Sequence, residues 1–198
     1  MAYESFTLSG VQESFDLTVA QTRDAYGKIA AIAPSNTLQE TLRRGITLIV
    51  GRTSEKARSE FIVAQVLLEV RNILDDAIAI FSGIKFDVDK KEGLFGYCDF
   101  LVSRDAIVDE IKAPVLFLTE AKKEDLSSGI AQCIAEMVAA QRFNDAKGKP
   151  IETVYGVVTD GTGWRFLSLT GKAVSLDLRE YSLVELPYIL GILVFMVS

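Results

Sequence analysis

Histidine is missing from the sequence altogether. That removes every mechanism built on an imidazole base, a Ser-His or Cys-His pair, or a His metal ligand. Cysteine occurs only as Cys98 and Cys133, which supply neither a disulfide framework nor a zinc-ligand spacing. Proline is scarce, with 4 residues, and no Pro-rich linker, low-complexity tract or internal repeat divides the chain. Cations are outnumbered, 21 Lys and Arg against 27 Asp and Glu, for a formal net charge of −6. Such a surface is unsuited to a broad, sequence-independent grip on nucleic acid. It leaves room for a local basic patch, and for an acidic metal site neutralised by bound cations. The opening Met-Ala-Tyr-Glu-Ser lacks a basic n-region and an apolar h-region, so no signal peptide is expected and a cytoplasmic location fits. One long apolar run occurs, Ile189 to Val197. It falls short of the roughly 20 residues a spanning helix needs. The expectation is a buried final helix or a self-association surface, and no membrane contact.

What is present is globular: 198 residues, 49% apolar and 24% charged, enough for one α/β domain with a sizeable core. Phe6-Thr-Leu and Ser14-Phe-Asp-Leu-Thr-Val read as two β runs, predicting an N-terminal hairpin over residues 5–19. Thr37 and Glu40 have capping-box spacing before a short helix. Over residues 54–74, Ile62, Val63, Val66, Leu67, Val70, Ile73 and Leu74 recur at helical spacing, with Ser54 as N-cap. The period then changes. Residues 79–88 read as extended, Asp89 to Gly93 as a turn, Leu94 to Val102 as a strand, and Val115 to Thr119 as a central strand covered on both faces. Residues 126–146 are helical, with Ile130, Cys133, Ile134, Met137 and Val138 on one face. Ala131, Ala135 and Ala139 form a second face, so the helix is expected to pack on two sides. Thr153 to Thr159 and Trp164 to Leu169 flank an Asp160-Gly-Thr-Gly163 hairpin turn. The order implies a mixed central sheet flanked by helices.

Three features converge on chemistry. Asp99 interrupts the apolar strand Gly96-Tyr-Cys-Asp-Phe100. Glu120 and Lys122 end the apolar strand as Thr119-Glu-Ala-Lys. The following helix carries Gln132 and Glu136. Strand alternation puts Glu120 and Lys122 on one face, about 7 Å apart along the chain. With Asp99 on a neighbouring strand, Asp99 and Glu120 could share a hard, oxygen-preferring cation. Two such carboxylates without a cation repel.

The stretch Gly96-Tyr-Cys-Asp99-Phe, followed by Val115-Leu-Phe-Leu-Thr-Glu120-Ala-Lys122-Lys, resembles the core of the PD-(D/E)XK nuclease superfamily. The hairpin Tyr155-Gly-Val-Val-Thr-Asp-Gly-Thr-Gly-Trp-Arg-Phe166 is similar to hairpins in the nuclease domains of type I restriction subunits. The resemblance spans residues 54–170, and Cys98 stands where the motif has its proline. It implies a restriction-endonuclease-like α/β core at 54–170. An N-terminal hairpin/helix extension (1–53) and a C-terminal strand/helix extension (171–198) complete a single domain.

The resemblance further implies Mg²⁺ or Mn²⁺ held by Asp99 and Glu120, Lys122 acting on the nucleophile or the developing charge, and one further acid on the first helix. Glu55 and Glu60 are the candidates. Helical phase places Glu55 nearer the centre of the apolar face and Glu60 on its flank. Gln132 matches a polar residue that would position Lys122 or substrate. Arg43, Arg44, Arg52, Lys56 and Arg58 form either a phosphate-contacting patch or a solvated basic face. Trp164 reads as sheet packing. The functional expectation is a Mg²⁺-dependent phosphodiesterase acting on DNA, with a possible homodimer through the apolar C-terminus. The rivals are a non-catalytic interaction module on the same fold and an unrelated acidic α/β scaffold.

Overall fold

A computed structural model of the chain describes residues 2–49, 54–104, 109–121 and 126–198. Its first turns are set by caps. After a 3₁₀ turn at Tyr3–Ser5, the Thr7 hydroxyl accepts from Gly10 N at 3.1 Å and opens helix α1 (Leu8–Phe15). Asp16 closes it in the left-handed region at φ 53, and strand β1 (Thr18–Thr22) follows. The expected hairpin is therefore a helix and one strand. Val11 and Phe15, one helical turn apart, are both buried, and that pairing with the Thr7 cap outweighs the short alternating run from Ser14.

Helix α2 (Asn36–Ile49) is capped by Ser35, not Thr37: the Ser35 hydroxyl accepts from Leu38 N at 3.1 Å. Buried Glu69 fixes that cap by accepting from Ser35 N at 2.7 Å and Oγ at 2.9 Å. Glu40 is drawn outward to Arg43 and Arg44 instead. The helix expected over 54–74 is one helical run in three segments: α3 (Glu55–Arg58), a π-helical turn (Ser59–Val63) and α4 (Ala64–Ile73). Ser54 caps it as expected, accepting from Ala57 N at 3.3 Å.

The remaining strands are β2 (Ala79–Lys85), β3 (Tyr97–Ser103), β4 (Val115–Ala121), β5 (Thr153–Thr159), β6 (Gly163–Thr170), β7 (Ala173–Asp177) and β8 (Tyr181–Ser182). They form one mixed sheet in the order β1-β7-β6-β5-β4-β3-β2, with β8 beside β6. Strand β3 begins at Tyr97 rather than Leu94, because the turn from Asp89 closes on an Asp89–Leu94 bridge and Gly96 adopts φ 143. Helix α5 (Leu126–Ala146) carries the chain from β4 back to β5 and makes that pair parallel.

Helices cover both faces of the sheet. On one, α1 and α5 pack over Cys98, Leu101, Val158 and Leu167. On the other, α2, α4 and α6 (Leu186–Phe195) pack over Phe100, Val102, Phe117 and Trp164. Both predicted faces of α5 are buried, Ala131, Ala135 and Ala139 included. The C-terminal run folds as the expected buried helix. Ile189, Leu190, Ile192, Leu193, Met196 and Val197 are buried within the chain, leaving Tyr188 and Phe195 at the surface. Among the described residues no helix is long and apolar enough to cross a membrane.

Candidate active site

The parallel pair β4–β5 has its carboxyl ends at Ala121 and Thr159, and in open α/β sheets ligands gather outside that end. Strand β3 runs antiparallel to β4, so its amino end lies there too. Phe100 is paired with Thr119, the last pair of the ladder at this end, and Asp99 and Glu120 each lie one residue beyond it. Glu120 in turn is paired with Val158 on β5. The two acid positions therefore lie at the same end of the sheet. The side chain of Glu120, and all of Lys122, lie outside the described residues.

Asp99 owes its direction to a break in strand alternation. Phe100 and Val102 pack on the α4 side and Leu101 on the α5 side. Regular alternation would send Cys98 with Phe100, yet Cys98 packs on the α5 side. The phase slips between them. The register Ser82–Phe100 and Ile84–Cys98 brackets Gly83, which sits at φ 58 in the left-handed region. Such a residue inside an antiparallel pair bends the strand and re-aims its neighbours. Asp99, half-buried, lines a cleft of about 410 Å³ with Glu55, Lys56, Ser59, Glu60, Ser82 and Gly83.

Both first-helix candidates thus reach the cleft. Glu55 is in the first turn after the Ser54 cap. Glu60 lies on the π-helical turn, 3.8 Å from Lys56 in an exposed ion pair. The π turn explains why a uniform phase separated them. A turn closing i to i+5 adds a residue and rotates everything upstream relative to α4.

The neighbouring turn is self-braced. Asp160 Oδ1 accepts from Thr162 N, Thr162 Oγ1 and Gly163 N, each at 2.7 Å. Arg58 ties α3 to it, with Nη1 3.3 Å from Asp160 Oδ2. This is a hairpin turn, as expected, with Gly161 at φ 85. Trp164 beside it is fully buried against the sheet, as its packing assignment requires.

Gln132, whose expected partner Lys122 lies outside the described residues, is on α5. It lines a separate cleft of about 430 Å³ with Tyr3, Lys85, Asp87, Lys90 and Tyr97, and its amide donates to buried Glu136 at 3.0 Å. In that cleft Asp87 has a lowered pKa: partial burial pulls it upward, but ion pairs to Lys90 and Lys85, both at 3.2 Å, outweigh the burial. The Tyr3 phenol is pushed up, chiefly by burial, with the neighbouring Cys98, Glu136 and Asp87 adding to the effect.

The basic cluster read from the sequence is largely matched by acids. Arg43 and Arg44 hold Glu40, Lys56 faces Glu60 and Arg58 holds Asp160. Arg52 lies outside the described residues. Ser59, Ser82 and Gly83 are cleft residues the sequence reading passed over. The signal for the last was a lone glycine inside a strand pattern, which marks a bulge or a close approach.

The donors of the Asp99 cleft are carboxylates and hydroxyls, the set a hard cation takes. Among the described residues no three acidic or thiol side chains gather closely enough to hold a metal ion. No protein-family model and no curated protein matches the chain.

Proposed function

We propose that the Asp99 cleft is the active site of a Mg²⁺- or Mn²⁺-dependent nuclease on a restriction-endonuclease-like core, acting on DNA. The observation that carries this reading is that Asp99, Glu55 and Glu60 line one cleft, at the sheet end where the β3–β4 ladder stops one residue short of position 120. Asp99, Glu120 and one of Glu55 or Glu60 would hold the cation. Bound there, it would supply Lewis acidity to a phosphoryl oxygen. Lys122, two residues beyond Glu120, would orient the attacking water or stabilise the charge that develops on phosphate. Ser59 and Ser82 offer hydroxyls to a substrate oxygen or to water.

The test pairs binding with turnover. Calorimetric titration with Mn²⁺ should show binding that Asp99→Asn and Glu120→Gln each weaken severely. Plasmid and single-stranded DNA should be cleaved with Mg²⁺. Lys122→Ala should slow cleavage by about 10²–10³ while melting within about 1 kcal/mol of wild type. Equal Mn²⁺ affinity in both carboxylate variants sinks the metal site. The alternative, a non-catalytic interaction module, draws on the matched basic residues and on the lack of a three-carboxylate cluster among the described residues. Metal binding without any cleavage of DNA or RNA would favour it.

A further inference from the structure

The two edges of the sheet differ. At β2, Gly83 in the left-handed region breaks the strand and Lys85 ends it. Both are devices that discourage edge-to-edge pairing. Strand β1, at the other edge, is Thr-Val-Ala-Gln-Thr: uncharged, without proline or glycine, and exposed at every position but half-buried Val19. Among the described residues nothing pairs with its outer side.

The ladder to β7 fixes which groups face outward. It is parallel, with Thr18 opposite Ala173. Thr18 N donates to Lys172 O at 2.9 Å, and Thr22 O accepts from Leu178 N at 2.9 Å. In a parallel ladder alternate residues bond one neighbour, so Thr18, Ala20 and Thr22 turn their N–H and C=O groups inward. Val19 and Gln21 turn theirs outward, where no strand among the described residues pairs with them.

We infer that β1 is a self-association edge, which pairs antiparallel with β1 of a second copy about a two-fold axis at Ala20. The parity of the strand selects this register. An axis at Ala20 sets Val19 opposite the partner's Gln21 and Gln21 opposite the partner's Val19. Each pair exchanges both N–H···O=C bonds, and every outward group within the strand is satisfied. An axis at Val19 or at Gln21 leaves one of the two pairing beyond the strand's end. Thr18 then meets the partner's Thr22, a favourable cross-strand hydroxyl pair.

Charge permits the contact. The segment bears no like charges to oppose across the axis. The acids at its ends are already held, Asp16 by Lys172 at 2.6 Å and Asp24 by Arg179 at 2.8 Å. A second copy satisfies both sides of the edge with one sequence, as an isologous interface requires. So short an edge predicts a weak, concentration-dependent dimer with the two sheets continuous.

The register is tested by cross-linking. At an axis through Ala20 the two Ala20 residues form a non-hydrogen-bonded pair with Cα atoms about 4.5 Å apart, within disulfide range. Cys98 and Cys133 are buried, so mild oxidation of Ala20→Cys should give a covalent dimer. Thr18→Cys alone should not cross-link, while an equal mixture of Thr18→Cys and Thr22→Cys should. Sedimentation of the full chain over a wide concentration range should show dimer. Gln21→Pro deletes an outward N–H and an exposed side chain, so it should shift the protein to monomer with little change in melting; Val19→Pro should do the same but also loses a side chain packed against the core. If a proline variant misfolds, the cysteine set still decides. A wild type monomeric at every concentration, with Ala20→Cys cross-linking no faster than Thr18→Cys, overturns the inference. So does a dimer that persists in a folded Val19→Pro.

Discussion

The Asn144 side chain acts as a strand partner for Val115. Its Oδ1 accepts from Val115 N at 2.7 Å and its Nδ2 donates to Val115 O at 2.9 Å, with both residues fully buried. One amide thus satisfies both backbone groups at the start of β4 and fixes α5 against the strand that leads to Glu120.

Asn144→Ala should therefore be strongly destabilising. It strands a buried donor and a buried acceptor, each worth about 1–3 kcal/mol when unpaired. A loss of about 2–4 kcal/mol in urea unfolding is expected. Asn144→Asp should fare no better, because a carboxylate cannot donate to the Val115 carbonyl. Stability within error of wild type for the alanine variant would remove Asn144 from the account of β4.

Arg179 organises a second polar cluster, donating to Asp24 Oδ1 at 2.8 Å and Glu185 Oε1 at 2.7 Å while its guanidinium lies 4.3 Å from the Tyr181 ring centre. Hydrogen bonding from Arg179 holds both carboxyls below their ordinary values of 3.8 and 4.5. A folded-state pKa that is depressed contributes stability that is fully present above the unfolded value and lost as pH falls through the folded one. Melting temperature should thus drop as pH is lowered from about 5 through the acid range, and Arg179→Gln should lower it at neutral pH and flatten that part of the profile. Parallel profiles for the two proteins would show that the cluster does not titrate with folding.

Helix α6 offers a graded test of the C-terminus. A Cβ at Gly191 would collide with the Ala30 carbonyl, and Ile32 N donates to Pro187 O at 2.8 Å. The segment before α2 is thereby pinned to the helix. Gly191→Val should separate them and destabilise by more than Gly191→Ala. Deleting residues 186–198 should leave insoluble or unfolded protein, because it uncovers Phe166, Trp164 and Tyr26 in the same apolar layer. A soluble, cooperatively melting truncation would contradict the burial argument.

Much of this architecture is legible in the sequence where one period runs uninterrupted. The apolar run at Val115, the two-sided helix over residues 126–146 and the Asp160 turn all stand where their patterns put them. The misreadings arose where one local pattern was outweighed by another local signal or by a contact distant in sequence. Ser14 to Val19 alternates, but Thr7 and the burial of Val11 and Phe15 take the first half into a helix. Thr37 and Glu40 match a capping box, but Glu69 is 34 residues from the serine it secures. At the candidate site, Asp99 was readable as an interruption of an apolar strand, and Glu55 and Glu60 as acids at the start of a helix. The directions of Asp99, Glu55 and Glu60 were not, since these depend on a left-handed glycine and a π turn that shift phase without leaving a periodic trace.

Gly83 is where fold and site can be uncoupled. Its Cβ position has nothing within 4 Å, so a side chain there meets no steric obstacle, and only φ 58 resists it. The left-handed conformation costs an L-residue about 1–2 kcal/mol, which Asn tolerates better than Ala. Gly83→Ala should either lose about that much stability with the strand pair intact, or relax the strand toward regular pairing. Relaxation would rotate Asp99 away from Glu55 and Glu60. Under the nuclease reading, Mn²⁺ affinity should then fall in Gly83→Ala by more than in Gly83→Asn, although neither variant touches a carboxylate. Urea unfolding and Mn²⁺ titration of the two variants separate these effects. Stability lost to alanine with Mn²⁺ affinity unchanged would mean that the left-handed turn shapes the strand without aiming Asp99. Stability unchanged in both would mean that φ at Gly83 is not held by the fold at all.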